Sequence, residues 1–422
     1  MTNLYRNLPP STKPLYTFIK SQENLSHTRF IQGTATNWLP KAIFSRSKAD
    51  FGDITFLELF ESVLFYYAPS WVGEGLIKKG ILKKVINKKD FDNINKHITD
   101  SVKDIVENKN LQDNKINKKT LAAKTALVTG FAIVPILEYA LGYAKNLFTL
   151  KVFKKSNFDN IANLDKNQGN ENIEQQQKVE KNAKKQLKRA GIFSITAIIS
   201  SALIAKYGHK SNKAQSIFKY LLEPANLVTK AFPKIKGGKL DKFLQEYTKL
   251  DFNNNNGKLG LCKGQLAVTT ISGLFGYSNA AKDRGKLDFL EVWTRVPLVV
   301  FYTIFGSALF DSGFKKLLIK NGKFKDLLQK GKDVPTLKEL PKLAQKLTPQ
   351  GGSTQDVFKR LVKEKSIITG IPYIFSLFVM GFTLAGISRL WTQYRYEHQK
   401  KNDLTCNKIS FEEYLKTIKT KF

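Results

Sequence analysis

Three carboxylates stand in apolar surroundings, and they are the residues best placed to do chemistry. Glu138 is the single charge in Thr125–Ala144, TALVTGFAIVPILEYALGYA. Glu58 lies in FLELF (56–60) and Glu291 in FLEVW (289–293). A carboxylate in a bilayer helix costs about 2.5–3.5 kcal/mol if it is treated like other charged residues, and roughly six to eight leucine-like neighbours offset that. Glu138 can therefore be carried without a function. It can equally pair with a lysine, hold a cation or proton, or lie protonated near the surface. Pro135, just upstream, frees a backbone carbonyl that such a group can face. Arg295 follows Glu291 at pairing distance along a helix.

One carboxylate among apolar residues fixes no reaction. The motifs that would fix one are absent: GxxxxGK[ST], GxGxxG after a strand, HExxH, CxxC and GxSxG. Two cysteines, Cys262 and Cys406, make no disulfide framework. His27, His97, His209 and His398 stand far apart, at no ligand spacing. The expectation is no enzyme, no cofactor and no metal.

The elements that must position these residues are apolar runs bounded by lysines. Thr125–Ala144 and Ser366–Ser388 have the length of a bilayer-crossing helix, which needs roughly twenty apolar residues. Ala190–Ala205, Gly264–Ala281 and Val296–Phe310 are uncharged but shorter or less apolar. The flank RLWTQYRYEHQKK after the last long run suits a headgroup layer. Trp391 and Tyr394 are expected as interface anchors, with Arg389 and Arg395 reaching toward phosphates. The fold class expected is an all-α membrane protein with four to six hydrophobic helices and lysine-rich amphipathic helices.

The chain of 422 residues carries a formal charge of +34, mostly lysine. Part of that lysine accompanies abundant asparagine and isoleucine and reads as coding bias. The remainder favours anionic partners: acidic lipid or an acidic protein, with nucleic acid the least supported because no recognition module appears. Every long segment between runs is basic, so charge asymmetry does not orient the chain. The first thirty residues hold no uncharged hydrophobic core of a signal peptide. An integral membrane location without a cleaved leader is expected.

FLELF and FLEVW lie in longer matching contexts at an offset of about 233 in the sequence. Asp50 meets Asp283, Gly52 meets Gly285, and Phe56-Leu57-Glu58 meets Phe289-Leu290-Glu291. Upstream, Gln32 meets Gln265 and Thr36 meets Thr269. Downstream, KTLAAKTALVTG (119–130) lies over KRLVKEKSIITG (359–370). The pattern suggests two related halves. The expected organisation is a polar N-terminal segment (1–45), a first helical half (46–155), a linker region with one hydrophobic helix (156–263), a second half (264–396) and a polar tail (397–422). Asn157–Gln177 reads as linker and 73–124 as lysine-rich surface helices. Helical periodicity over Ile54–Tyr67 puts Phe56, Leu57, Phe60, Val63, Leu64 and Tyr67 on one face, with Glu58, Glu61 and Ser62 opposite. That spacing reads as an amphipathic helix with its acids in water or at the interface.

These features lead to a structural or scaffolding membrane protein as the first expectation. A transporter or channel-like protein of two duplicated halves is the second, and requires Glu58, Glu138 and Glu291 to converge. A basic peripheral or nucleic-acid-binding protein is the third.

Overall fold

The computed structural model describes residues 2–23, 27–79, 81–87, 114–164, 171–213, 216, 220, 225–248, 263–329, 331, 333–349 and 352–419. Among the described residues the chain is all-helical, without strands. The 73–124 stretch falls largely on 88–113, outside the described residues, as do Cys262, His97 and the side chains of Cys406, Gln32, Thr36 and Gln265.

The helices include α1 (Lys13–Glu23), α2 (His27–Ile43), α3 (Lys48–Tyr66), α4 (Ala68–Lys78), α5 (Asn114–Phe153), α6 (Ile173–Tyr207), α7 (Lys263–Arg284), α8 (Lys286–Phe301), α9 (Ser307–Lys320), α10 (Leu340–Leu347), α11 (Thr354–Ser376) and α12 (Leu384–Lys419), with other short ones at Thr2–Arg6, Phe158–Ile161, Ala225–Ala231 and Lys239–Thr248. Wider π-helical turns join α8 to α9 at Tyr302–Gly306 and α11 to α12 at Leu377–Thr383. Among the described residues, three stretches are long and apolar enough to cross a membrane: Lys118–Phe153, Ile173–Lys210 and Thr354–Asn402. The short run 190–205 joins them because the basic residues before it continue the same helix. Of the other two short runs, Gly264–Ala281 lies in a helix of 22 residues that is not apolar enough, and Val296–Phe310 is divided among two helices and a π-helical turn.

Two sets of three helices make the centre. In the first set α3 packs between α2 and α5; in the second α8 packs between α7 and α12. The sets interlock crosswise. α7 of the second packs on α5 of the first, and α2 of the first packs on the π-helical turn of the second. The α5–α7 crossing brings backbones into contact, because a Cβ on Gly276 would lie 2.2 Å from the Tyr139 carbonyl oxygen. Small residues at a crossing are how apolar helices gain contact area where no hydrophobic force drives them together. α6 runs along α5 and closes the bundle on one side.

The region before Arg46 is not a detached polar segment. Ile19 of α1 is buried in a core with Leu327, Leu340, Phe358 and Leu361. Glu23 pairs with Lys365 at 2.6 Å and accepts from the Leu337 N–H. Part of the expected linker is also packed. Phe158, Ala162 and Leu164 are buried against Leu287, and Glu171 accepts from Ser156 and Asn160. Ile173 opens α6, capped by Asn172.

The acidic side of Ile54–Tyr67, expected in water or at the interface, is turned inward. Asp50, Asp53, Ile54, Leu57, Glu58 and Ser62 are buried, whereas Leu59 and Phe60 are exposed. Glu58 is 2% exposed and Phe60 49%. α8 repeats the arrangement: Asp288, Glu291 and Val292 face inward, and Trp293, Leu298 and Phe301 outward. Helical periodicity identifies two faces but not which one meets solvent. Here the interior is ionic.

Candidate functional site

The site begins at two tight turns. Ser47 caps α3, its Oγ accepting from the Asp50 N–H while donating to the Ile161 carbonyl. Gly285 caps α8 with φ +137, a conformation that side-chain-bearing residues rarely adopt. Each turn sets an arginine ahead of an acid-bearing first turn. The words are Arg46-x3-Asp50-x2-Asp53 and Arg284-x3-Asp288-x2-Glu291.

Their pairing is reciprocal. Arg46 Nε lies 3.2 Å from Asp50 Oδ2, and its Nη1 lies 3.0 Å from Glu291 Oε2 on the other helix set. Arg284 Nε lies 3.1 Å from Asp288 Oδ2, an ion pair by distance, and its Nη1 lies 3.0 Å from Asp53 Oδ2. Each arginine thus holds an acid on its own set and one across the divide. A second cation backs each cross-set acid. Lys145 of α5 lies 3.2 Å from Asp53, and Arg389 of α12 bonds Glu291 and lies 3.6 Å from Asp50. Phe158 stands between the two turns. Its ring centroid is 5.2 Å from the Arg46 guanidinium carbon and 5.9 Å from that of Arg284.

Burial by itself raises a carboxyl's pKa, and here paired charge overrides it. Burial works to raise Asp53, but Arg284, Lys145 and the Thr149 hydroxyl hold it below the usual range. Burial likewise opposes ionisation of Glu291, which Arg389 and Arg46 pull down to about 2. Asp288 is raised, its burial outweighing Arg284.

The site's other end is different. Glu58 pairs with Lys41. Glu61, one turn on, is raised to about 7 by burial and by the Glu58 charge, against Lys41 and Arg295. Glu138 is 1% exposed; its Oε1 accepts from the Tyr277 hydroxyl, and its Oε2 is buried without a hydrogen-bond partner. No ion pair reaches Glu138 among the described residues. A cavity of about 40 Å³, room for a water-sized molecule, is lined by Lys41, Glu58, Tyr277, Glu291, Arg295 and Arg389.

Glu58 and Glu291 therefore share one cavity, and Glu138 reaches it through Tyr277. Arg295 lines that cavity too, but the ion-pair partners of Glu291 are Arg46 and Arg389 rather than Arg295. Arg389, expected at the headgroup layer, is instead 8% exposed and part of the core, because two acids lie within its reach. Trp391 and Tyr394 are exposed and stacked, with the Arg395 guanidinium carbon 4.8 Å from the Trp391 ring centroid.

Sequence reasoning missed Lys41, Arg46, Asp50, Asp53, Lys145, Tyr277, Arg284 and Asp288 as site residues. The signal was the repeated R-x3-D-x2-[DE] word, hidden by the register chosen. At an offset of 233, Gly285, which caps α8, falls on Gly52 inside α3. The helices begin at Lys48 and Lys286, a separation of 238, which sets KADFGD over KLDFLE. No protein-family model matches the chain, and no curated protein or solved structure is detectably similar to it.

Proposed function

We propose that the protein is an integral membrane protein of two related halves that carries protons, or an ion no larger than water, along the ionic seam between them. The carrying observation is that Glu58 and Glu291 line one small cavity between the two helix sets, and that Tyr277, which lines it too, bonds Glu138. The reciprocal pairs Arg46–Glu291 and Arg284–Asp53 support relatedness of the halves in the 238 register. In transporters with repeated halves, sites form at the interface between repeats, and rocking of one half alternates access. Ion pairs across such a seam can exchange partners as the halves move. Aromatic residues outside and charge inside fit a bilayer surround: exposed Phe60, Trp293 and Phe301 would be costly in water, and the interior acids have found cations.

Within this reading Glu138 is the proton carrier. Among the described residues it is a buried acid with no ion pair, and its neutral form avoids the cost of a buried lone charge. Tyr277 relays toward Glu58 and Glu291. The test is reconstitution in vesicles holding a pH-sensitive dye, with a potassium diffusion potential imposed. Proton entry that Glu138→Gln abolishes supports the reading. Entry equal to that of empty vesicles rules it out, as does release of the intact chain from membranes by carbonate.

A structural or scaffolding role is the second reading. It is favoured by the charge compensation at the arginine turns, which would lock the halves together. A locked core predicts no ion flux and a distance between spin labels on α2 and α12 that does not change with pH.

A further inference from the structure

A groove outside the ionic core has the chemistry of a lipid site. Its volume is about 570 Å³, and it lies between α5, α6 and α7, lined by Ile136, Tyr139, Gln186, Arg189, Phe193 and Ser272 among others. Gln186, Arg189 and Phe193 recur on one face of α6 at spacings of three and four residues. They straddle the point where that helix changes character. Upstream, Lys178–Arg189 is basic; downstream, Ala190–Ala205 is uncharged, with Ile192, Phe193, Ile195, Ile199 and Leu203 exposed. Such a change along one helix marks the boundary between headgroups and acyl chains.

The polar end of the groove is cationic. Arg189 is exposed and makes no ion pair among the described residues, with Lys185 and Lys188 beside it. Its floor is already satisfied: the Ser272 hydroxyl donates to the Pro135 carbonyl at 2.7 Å. Below the arginine, Phe193, Ile136 and the Tyr139 ring make an apolar channel. We infer that this groove binds one anionic phospholipid, its phosphate held by Arg189 and Gln186 and one acyl chain laid along Phe193 and Ile136. A planar guanidinium suits bidentate contact with phosphate oxygens, which a zwitterionic headgroup partly neutralises with its own ammonium. The inference rests on α6 facing the bilayer, but not on any transport activity. Because Ser272 of the groove floor precedes Gly273, where a Cβ would lie 2.9 Å from Glu138 Oε1, an occupied groove would brace the α5–α7 crossing that positions that acid.

The test uses the full chain extracted from membranes in mild detergent, exchanged into nanodiscs of phosphatidylcholine with a minority of phosphatidylglycerol. Native mass spectrometry then counts the lipid that stays bound on release. One retained phosphatidylglycerol is expected, lowered about ten-fold in Arg189→Gln and in Phe193→Ser, unchanged in Lys188→Gln, and not displaced by inorganic phosphate. Equal loss in Lys188→Gln and Arg189→Gln would reduce the effect to general surface charge and overturn the site. So would retention of phosphatidylcholine to the same degree, or displacement by phosphate alone. Arg189 and Phe193 are exposed, so the variants are expected to fold, and a matching melting temperature confirms it. A chain that needs no detergent for extraction would sink the membrane reading itself, an outcome distinct from a membrane protein with an empty groove.

Discussion

The two ends of the buried core hold the same residue type in opposite condition. At the arginine turns, Asp50, Asp53, Asp288 and Glu291 each lie within 4 Å of a cation. At the Tyr277 end, Glu138 has a hydroxyl on one oxygen and nothing on the other. A compensated buried pair holds two surfaces together, whereas an uncompensated carboxyl is stable as the neutral acid. The first end is therefore built as a clasp, and the second holds the acid on which the proposed proton path depends.

The largest expected effect tests the clasp. Arg284→Ala leaves Asp53 and Asp288 without their shared cation and should cost about 3–5 kcal/mol, as breaking buried pairs does. Thermal unfolding in detergent measures it. Arg284→Met with Asp53→Leu should recover most of the loss, since apolar groups replace the pair as a unit. Failure to recover would show that the loss lies with Lys145, left without Asp53, and with Asp288, left without Arg284.

The pH dependence separates the two ends. Glu291 has a folded pKa of about 2 against 4.5 for the free group, so its contribution is full above 4.5 and is lost as pH falls toward 2. The loss is about 3 kcal/mol if no other group compensates. Glu61 runs the other way. With its pKa raised to about 7, its contribution is full below 4.5 and fades as pH rises through about 7. Melting temperature against pH should therefore fall on both sides, and Glu61→Gln should flatten the upper side only. A profile unchanged by that substitution would place the Glu61 side chain in free water.

A smaller effect is expected where the two helix sets meet. Gly276→Ala puts a methyl group 2.2 Å from the Tyr139 carbonyl oxygen, which is backbone and cannot swing aside. Overpacking of this kind costs about 1–3 kcal/mol. Because the crossing also positions Tyr277 against Glu138, proton flux should fall together with stability. The smallest effect is Glu138→Gln, within about 1 kcal/mol because one neutral group replaces another of the same shape. Glu58→Gln should cost more, since Lys41 then loses its carboxylate. Equal melting temperatures for the two variants would dissolve the contrast between a carboxylate with a cation and one without.

Much of the helical content was legible. The apolar runs 125–144 and 366–388 fall in α5 and in α11–α12, and 190–205 in α6, because an uncharged stretch of that length has few alternatives to a helix. Of the three carboxylates chosen from sequence, Glu58 and Glu291 line one cavity, and Glu138 lies behind Tyr277, which lines it. Their partners were not legible. Arg46 lies in a turn and Arg284 at the end of α7, where a basic residue ordinarily meets water, and nothing local marks them as buried. Arg389 follows an apolar run beside Trp391, a pattern that equally fits a membrane anchor. The FLELF and FLEVW match concealed the better register because it aligned three letters in each word, whereas the structural equivalence lies in the turns upstream.

The sequence by itself determined that the chain is helical, strongly basic and interrupted by stretches fit for a bilayer, because those properties follow from composition and from spacing along one helix. The tertiary structure decided which face of α3 and α8 turns inward. Periodicity is blind to that choice: it separates an acidic face from an aromatic one, and either can be the outside, depending on what surrounds it. Only the crosswise packing of the two helix sets brings Arg46 to Glu291 and Arg284 to Asp53. With those partners supplied across long separations in the chain, burying the acidic face of each helix became favourable.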